Sequence, residues 1–135
     1  MTTFKLPIRI YWEDTDAGGI VFYANYLKFF ERARTEWLRA FGFGQESMKQ
    51  EQDAMFVVTE TSVRYLSPAR LDDLLQVSVE VRASGRASMT LFQQASRDGT
   101  LLAEGTIRIG CVSPANLKPT RIPASILAAL SNKSP

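Results

Sequence analysis

The stretch NYLKFFERARTEWLRAF, residues 25–41, decides how the rest of the chain is read. Tyr26, Phe30, Ala33, Trp37 and Phe41 recur at helical spacing, joined by Leu27 and Leu38, while Lys28, Arg32, Thr35 and Arg39 point the other way. The period predicts one long amphipathic helix over residues 25–41. Asn25 is the expected N-cap, its side-chain oxygen accepting an otherwise unpaired first-turn N–H, and Gly42 can take the left-handed conformation that ends the helix. Apolar residues fill more than a third of the helix circumference, so a sheet is needed to cover it.

Outward from the helix the period changes to two. Upstream, residues 4–12 read as a strand with Leu6, Ile8, Ile10 and Trp12 on one face, and Pro7 suits only a sheet edge. Downstream, residues 45–53 are polar, a short helix or a loop. Residues 56–66 are rich in Val, Thr and Tyr and end at Ser67-Pro68. Leu75, Val77, Val79, Val81 and Ala83 alternate with polar residues, and Ser84-Gly85-Arg86 turns the chain into residues 87–97. Asp98-Gly99 is a hairpin signal, and Ala103, Gly105, Ile107, Ile109 and Cys111 alternate through residues 101–112. Three hairpin-linked strands predict an antiparallel meander. The expected architecture is therefore α+β, roughly five antiparallel strands wrapped around one long central helix, in a single domain spanning residues 1–135. Its tail from about residue 124 is expected to be a peripheral cap with a frayed end.

Composition narrows the chemistry. The chain has 135 residues, no histidine and one cysteine, Cys111, which removes Ser-His-Asp and Cys-His triads, histidine metal sites and intrachain disulfides. Carboxylate, amine, phenol, hydroxyl and backbone groups remain. The net charge of +2 argues weakly against a dedicated nucleic-acid binder. No apolar run approaches a membrane span or a secretory leader, so a cytoplasmic protein is expected, with no cofactor and no metal.

The unusual segment is WEDTDAGGIVFYANY, residues 12–26. Glu13, Asp14 and Asp16 precede Gly18-Gly19 and a helix start, so one loop joins a carboxylate to bare backbone N–H donors. A helix N-terminus favours an anion or a developing oxyanion, and a carboxylate can attack a carbonyl or activate water. These are the minimum parts for acyl transfer without histidine. The same residues also fit a capping loop and a plain turn, and composition alone favours that structural explanation.

The runs Asp14-Thr15-Asp16-Ala17-Gly18-Gly19-Ile20-Val21, Asn25-Tyr26-Leu27 and Phe30-Glu31-Arg32-Ala33-Arg34-Thr35-Glu36, with Tyr65-Leu66-Ser67-Pro68-Ala69-Arg70-Leu71-Asp72-Asp73, resemble the 4-hydroxybenzoyl-CoA thioesterase family of the hotdog fold. Within it the similarity is strongest to the acyl-CoA thioesterases associated with the Tol-Pal system. The resemblance spans about residues 8–123. It implies a hotdog sheet around the helix, hydrolysis of an acyl-CoA thioester, and a homodimer or tetramer with active sites at the subunit interface. It makes Asp16 the catalytic carboxylate, Asp14 a loop-structuring group, and the backbone N–H of Tyr23 the donor to the thioester carbonyl. Gly18, Gly19 and Asn25 fall to the substrate-binding loop. Arg82, Ser84, Arg86 and Ser88 fall where relatives contact the CoA phosphates, with Arg86 and Ser88 the leading pair and Lys118 and Arg121 weaker ones. Many relatives carry histidine where this chain has Tyr23.

Nucleophilic attack by Asp16 and general-base activation of water both remain open. The other conspicuous residues have structural explanations: Trp37 as helix core, Cys111 as an inert buried thiol, the charged helix face as a solvated or interface surface, and Phe56, Val57 and Val58 as core rather than acyl pocket. The competing function is a non-catalytic hotdog module that binds acyl-CoA or acyl carrier protein beside lipid-synthesis enzymes. A hotdog dehydratase or isomerase is disfavoured by the absence of histidine, and a nucleic-acid binder ranks last.

Overall fold

Asp98 and Gly99 both take positive φ, 49° and 82°. That is the two-residue hairpin geometry whose twist matches the strands it joins. It links β4 (Ser88–Arg97) to β5 (Thr100–Val112), and the turn after β3 (Leu74–Ser84) links that strand to β4, giving the expected meander. The structure, a computed structural model, describes residues 3–132. β1 (Phe4–Arg9) and β2 (Met55–Tyr65) complete a five-stranded antiparallel sheet in the order β1-β3-β4-β5-β2.

Helix α1 (Asn25–Ala40) lies across the inner face of this sheet. Tyr26, Phe29, Phe30, Ala33 and Trp37 are buried on its inward side, against inward residues such as Val77, Leu91, Ala103 and Ile107. One close approach sets the helix depth: a Cβ at Gly105 would lie 3.2 Å from the Phe30 ring and equally close to the Ser62 carbonyl oxygen. A side chain at this position would press on both the ring and the neighbouring strand. This helix-in-sheet arrangement is the hotdog fold. A short helix α2 (Gln45–Gln52) follows α1, and α3 (Ala124–Asn132) lays Ile126 and Leu130 against β3. Fraying expected at residues 133–135 lies outside the described residues.

Three details differ from the sequence expectation. The first strand stops at Arg9, and Trp12, expected on its apolar face, is 81% exposed in a single 3-10 turn (Trp12–Asp14). The Asp14 carboxylate accepts the Tyr11 N–H at 2.8 Å and bends the chain before the alternation can continue. The helix cap is Ala24 rather than Asn25, with no side-chain capping bond: Asn25 is already the first helical residue, and its Nδ2 donates to the Asp14 carbonyl. Arg34 is drawn off the solvated face: its Nη1 donates at 3.0 Å to the fully buried Gln93. Gly42 has φ of +92° and ends α1 as expected. Pro7 sits on an edge strand, Trp37 is buried, and Cys111 is buried beside Ile107 and Ile109. Burial pushes the Cys111 thiol pKa upward, consistent with an inert group.

Candidate active site

Residues 11–24 fold back on themselves through the two acids. Asp14 is 6% exposed; its carboxylate holds the Tyr11 N–H and its carbonyl accepts both the Phe22 N–H at 3.0 Å and the Asn25 side-chain amide at 2.9 Å. Asp14 is therefore a brace that holds the loop through its carboxylate and its carbonyl. Asp16 differs in its exposure. It is exposed, and it opens a tight return in which its N–H donates to the Ile20 carbonyl and its own carbonyl accepts the Gly19 N–H. Gly18 N–H donates at 2.8 Å to Asp16 Oδ1, and a Cβ at Gly18 would lie 3.2 Å from that oxygen. Gly19 has φ of +81°, a conformation that favours glycine. The Gly18 N–H thus orients the carboxylate of an exposed Asp16 through one of its oxygens, while the Gly19 N–H holds its carbonyl.

The return rests on a second loop. Val21 N–H donates to the Ala69 carbonyl, and Ile20 bridges to Arg70. That loop is pinned by Asp73, whose carboxylate accepts the Arg70 N–H at 2.8 Å and Arg97 Nη1 at 2.7 Å. Burial pushes the Asp73 carboxyl upward, but the Arg70 N–H and the Arg97 guanidinium outweigh it and hold its pKa below the ordinary carboxylate value.

At the helix start, Asn25 N–H donates to the Phe22 carbonyl at 2.8 Å. In a trans peptide the C=O and N–H point in opposite directions, so the Tyr23 N–H is turned away from the helix. It donates to no acceptor among the described residues. Beside it opens a cleft of about 240 Å³ lined by Val21, Tyr23, Tyr26, Tyr65, Ser67 and Pro68. A larger groove of about 550 Å³ runs along the flank of α1 between Leu27, Glu31 and Arg34 on the helix and Val58 and Thr61 on β2. Val58 is 48% exposed there and is not core, whereas Phe56 and Val57 are half-buried and Phe56 packs against the core.

The structure places Asp16, Gly18 and Gly19 in one return, which Phe22 and Asn25 join through the Asp14 carbonyl; Asp16 is not among the residues that line the cleft beside Tyr23. The structure does not bring Arg86 or Ser88 to them. Tyr65 stands beside the helix start opposite Ala103, whereas Ser88 stands opposite Gly110, seven residues further along β5, a separation of roughly 23 Å along the strand. At that far end, Arg108 Nη2 reaches Ser88 Oγ at 3.4 Å, and the Arg86 carbonyl accepts the Ile122 N–H while its exposed side chain is free to reach outward. Arg82 stacks 4.0 Å from the Phe92 ring centroid and pairs with Glu80. Lys118 and Arg121 are exposed near the same end.

Sequence reasoning missed the role of Tyr65 and the Arg34–Gln93 pair. Gln93 had a readable signal: it shares the strand parity of Met89, Leu91 and Ala95, all buried. Its amide donates to the Phe30 and Ser78 carbonyls, so a polar side chain is satisfied in the core. Burial lowers the Arg34 pKa, an effect that Glu31 partly offsets.

The chain matches the model of the thioesterase-like superfamily over residues 10–130. It is 43% identical over 126 residues to the acyl-CoA thioesterase YbgC of Haemophilus influenzae, covering 93% of each chain. It is 44% identical over 128 residues to the acyl-CoA thioester hydrolase YbgC of Escherichia coli, covering 94% of this chain and 95% of that one. The crystal structure of a probable thioesterase from Bartonella henselae superposes with a TM-score of 0.86 at 29% identity, covering 90% of this chain and all of the other. With the helix wrapped by its sheet and the acid-glycine loop at the helix start, the chain belongs to the thioesterase-like superfamily.

Proposed function

We propose that the protein hydrolyses the thioester of an acyl-CoA to the free acid and CoA. The observation that carries this reading is the loop in which the exposed Asp16 carboxylate and the outward Tyr23 N–H are both held by the Asp14 and glycine scaffold. The names of the similar YbgC proteins support the same activity.

In the reaction, the Tyr23 N–H receives the charge that develops on the carbonyl oxygen as the carbon becomes tetrahedral. Asp16 acts in one of two ways. It takes a proton from water, whose oxygen then bonds to the carbonyl carbon, or it attacks that carbon itself to give a mixed anhydride that water opens. In either course the C–S bond breaks, a C–O bond replaces it, and CoA leaves as thiolate. A thiolate leaves readily, which lessens the need for a histidine to protonate it.

A second copy of the chain completes the site in this account. β2 is an edge strand of 11 residues with an exposed centre, a surface that sheet proteins protect by pairing. Antiparallel pairing of β2 with its symmetry mate sets the Arg86 and Ser88 end of one copy beside the helix start of the other. There arginine and hydroxyl donors suit CoA phosphates. The groove beside α1 then becomes a closed acyl pocket. A thioester on acyl carrier protein offers the same reacting group.

The test is thiol release from short-chain, long-chain and aromatic acyl-CoA substrates, with light scattering on the same sample. Turnover of at least one substrate by a species larger than 15.1 kDa supports the reading. Binding of acyl-CoA with no turnover across the set transfers it to a non-catalytic acyl-CoA module.

A further inference from the structure

We propose that Tyr65 is a positioning residue for the hydrolysis, holding the peptide at the helix start so that its N–H donors face the substrate. The inference rests on the thioester hydrolase reading above and adds a residue on a different element, at the end of β2.

The Tyr65 hydroxyl donates at 3.0 Å to the main-chain carbonyl of Tyr23. The opposite direction of C=O and N–H in a trans peptide carries this bond to the next amide: with the Tyr23 carbonyl held toward Tyr65, the Ala24 N–H is turned away from it. The preceding peptide is fixed in the same manner, by the Asn25 N–H on the Phe22 carbonyl. Two successive N–H groups, those of Tyr23 and Ala24, are thus aimed by bonds made to the carbonyls of their own peptides. The first of these bonds is local to the helix. The second comes from the sheet.

Tyr65 is well mounted for this duty. Its backbone pairs opposite Ala103, and the next two residues both donate to the Leu102 carbonyl. Its ring stands edge-on to Tyr23 at 6.1 Å and to Tyr26 at 5.5 Å between centroids. The Tyr26 hydroxyl in turn accepts the Ala69 N–H at 3.2 Å. The phenol is therefore a strut from a rigid strand to a loop otherwise braced by Asp14. Burial, and to a smaller extent Tyr23, push the Tyr65 pKa upward, so its proton stays in place at neutral pH. The hydroxyl remains a donor to the carbonyl. A strut of this kind changes the alignment of donors at the transition state more than the affinity for the ground-state thioester.

The experiment compares wild type, Tyr65→Phe and Ser78→Ala in steady-state thiol release from the best acyl-CoA substrate, with thermal melts alongside. Tyr65→Phe keeps the ring and removes only the hydroxyl. Its kcat is expected to fall about tenfold with KM changed less than about twofold, and with Tm close to wild type. Ser78→Ala removes a buried β3 hydroxyl that accepts the Gln94 N–H and lines neither the cleft nor the loop; it is expected to lower Tm while kcat stays within about twofold of wild type. An unchanged kcat in Tyr65→Phe overturns the proposal, and so does a fall in kcat that Ser78→Ala reproduces in proportion to its lower Tm. An inactive wild type is a different result and overturns the hydrolase reading itself.

Discussion

The side-chain amide of Asn25 donates at 2.9 Å to the main-chain carbonyl of Asp14, eleven residues earlier, so the first residue of the helix is tied to the loop that carries Asp16. The bond uses the Nδ2 donor, not the side-chain oxygen that would cap a helix. It spends the Asn25 side chain on aligning two parts of the site. Asn25→Ala is expected to lose about 1 kcal/mol of stability, the ordinary worth of one intramolecular hydrogen bond. Its kcat is expected to fall by about tenfold or more, because loop and helix start then move independently. Urea unfolding and thiol release on the same preparation separate the two effects.

The buried amide of Gln93 fastens α1 to the sheet from below. It accepts from Arg34 and donates to the Phe30 and Ser78 carbonyls, with no exposed surface of its own. Gln93→Leu conserves shape but removes the acceptor from a half-buried guanidinium. The expected cost is about 2 to 3 kcal/mol, read as a lower urea midpoint with an unchanged slope. A midpoint equal to wild type contradicts the role assigned to this contact.

Asp73 makes a prediction in pH. Its pKa in the folded protein is held below the ordinary value by the Arg70 N–H and by Arg97, against the upward push of burial. A carboxylate lowered on folding contributes stability that is fully present above its unfolded pKa, about 3.9. That contribution is lost as pH falls through the lower folded value. Asp73→Asn should therefore be less stable than wild type at pH 7, and the gap should close as pH is lowered from about 4 toward 2. Melting temperatures of both proteins across that range check the sign: a gap that widens on acidification contradicts it.

Much of this fold was legible because its signals are local and periodic. The 3.6-residue recurrence from Tyr26 to Trp37 predicts α1 to within one residue at its end. Alternation in β3 and β5, with Asp98-Gly99 between β4 and β5, predicts the meander. Trp12 broke the pattern because a side-chain bond from Asp14 overrides strand alternation, and such a bond leaves no periodic trace. Asn25 missed its expected place by one residue: the helix begins at Asn25 with Ala24 before it, and the Asn25 Nδ2 finds its acceptor in the tertiary structure. At the site, the Asp16, Gly18 and Gly19 grouping could be read because it lies within four residues. The distance between Asp16 and Arg86 could not, since it follows from strand register over the length of β5. Tyr65 was hidden likewise, 42 residues from the carbonyl it holds.

The most direct test of the account is thiol release by wild type beside Asp16→Asn at neutral pH, on whichever acyl-CoA the wild type turns over fastest. The substitution is nearly isosteric, keeps an oxygen for the Gly18 N–H, and removes only the carboxylate charge. The account predicts a loss of about a hundredfold or more in kcat with the melting temperature preserved, residual turnover coming from the N–H groups at the helix start. Equal rates for the two folded proteins would contradict it and remove Asp16 from the chemistry.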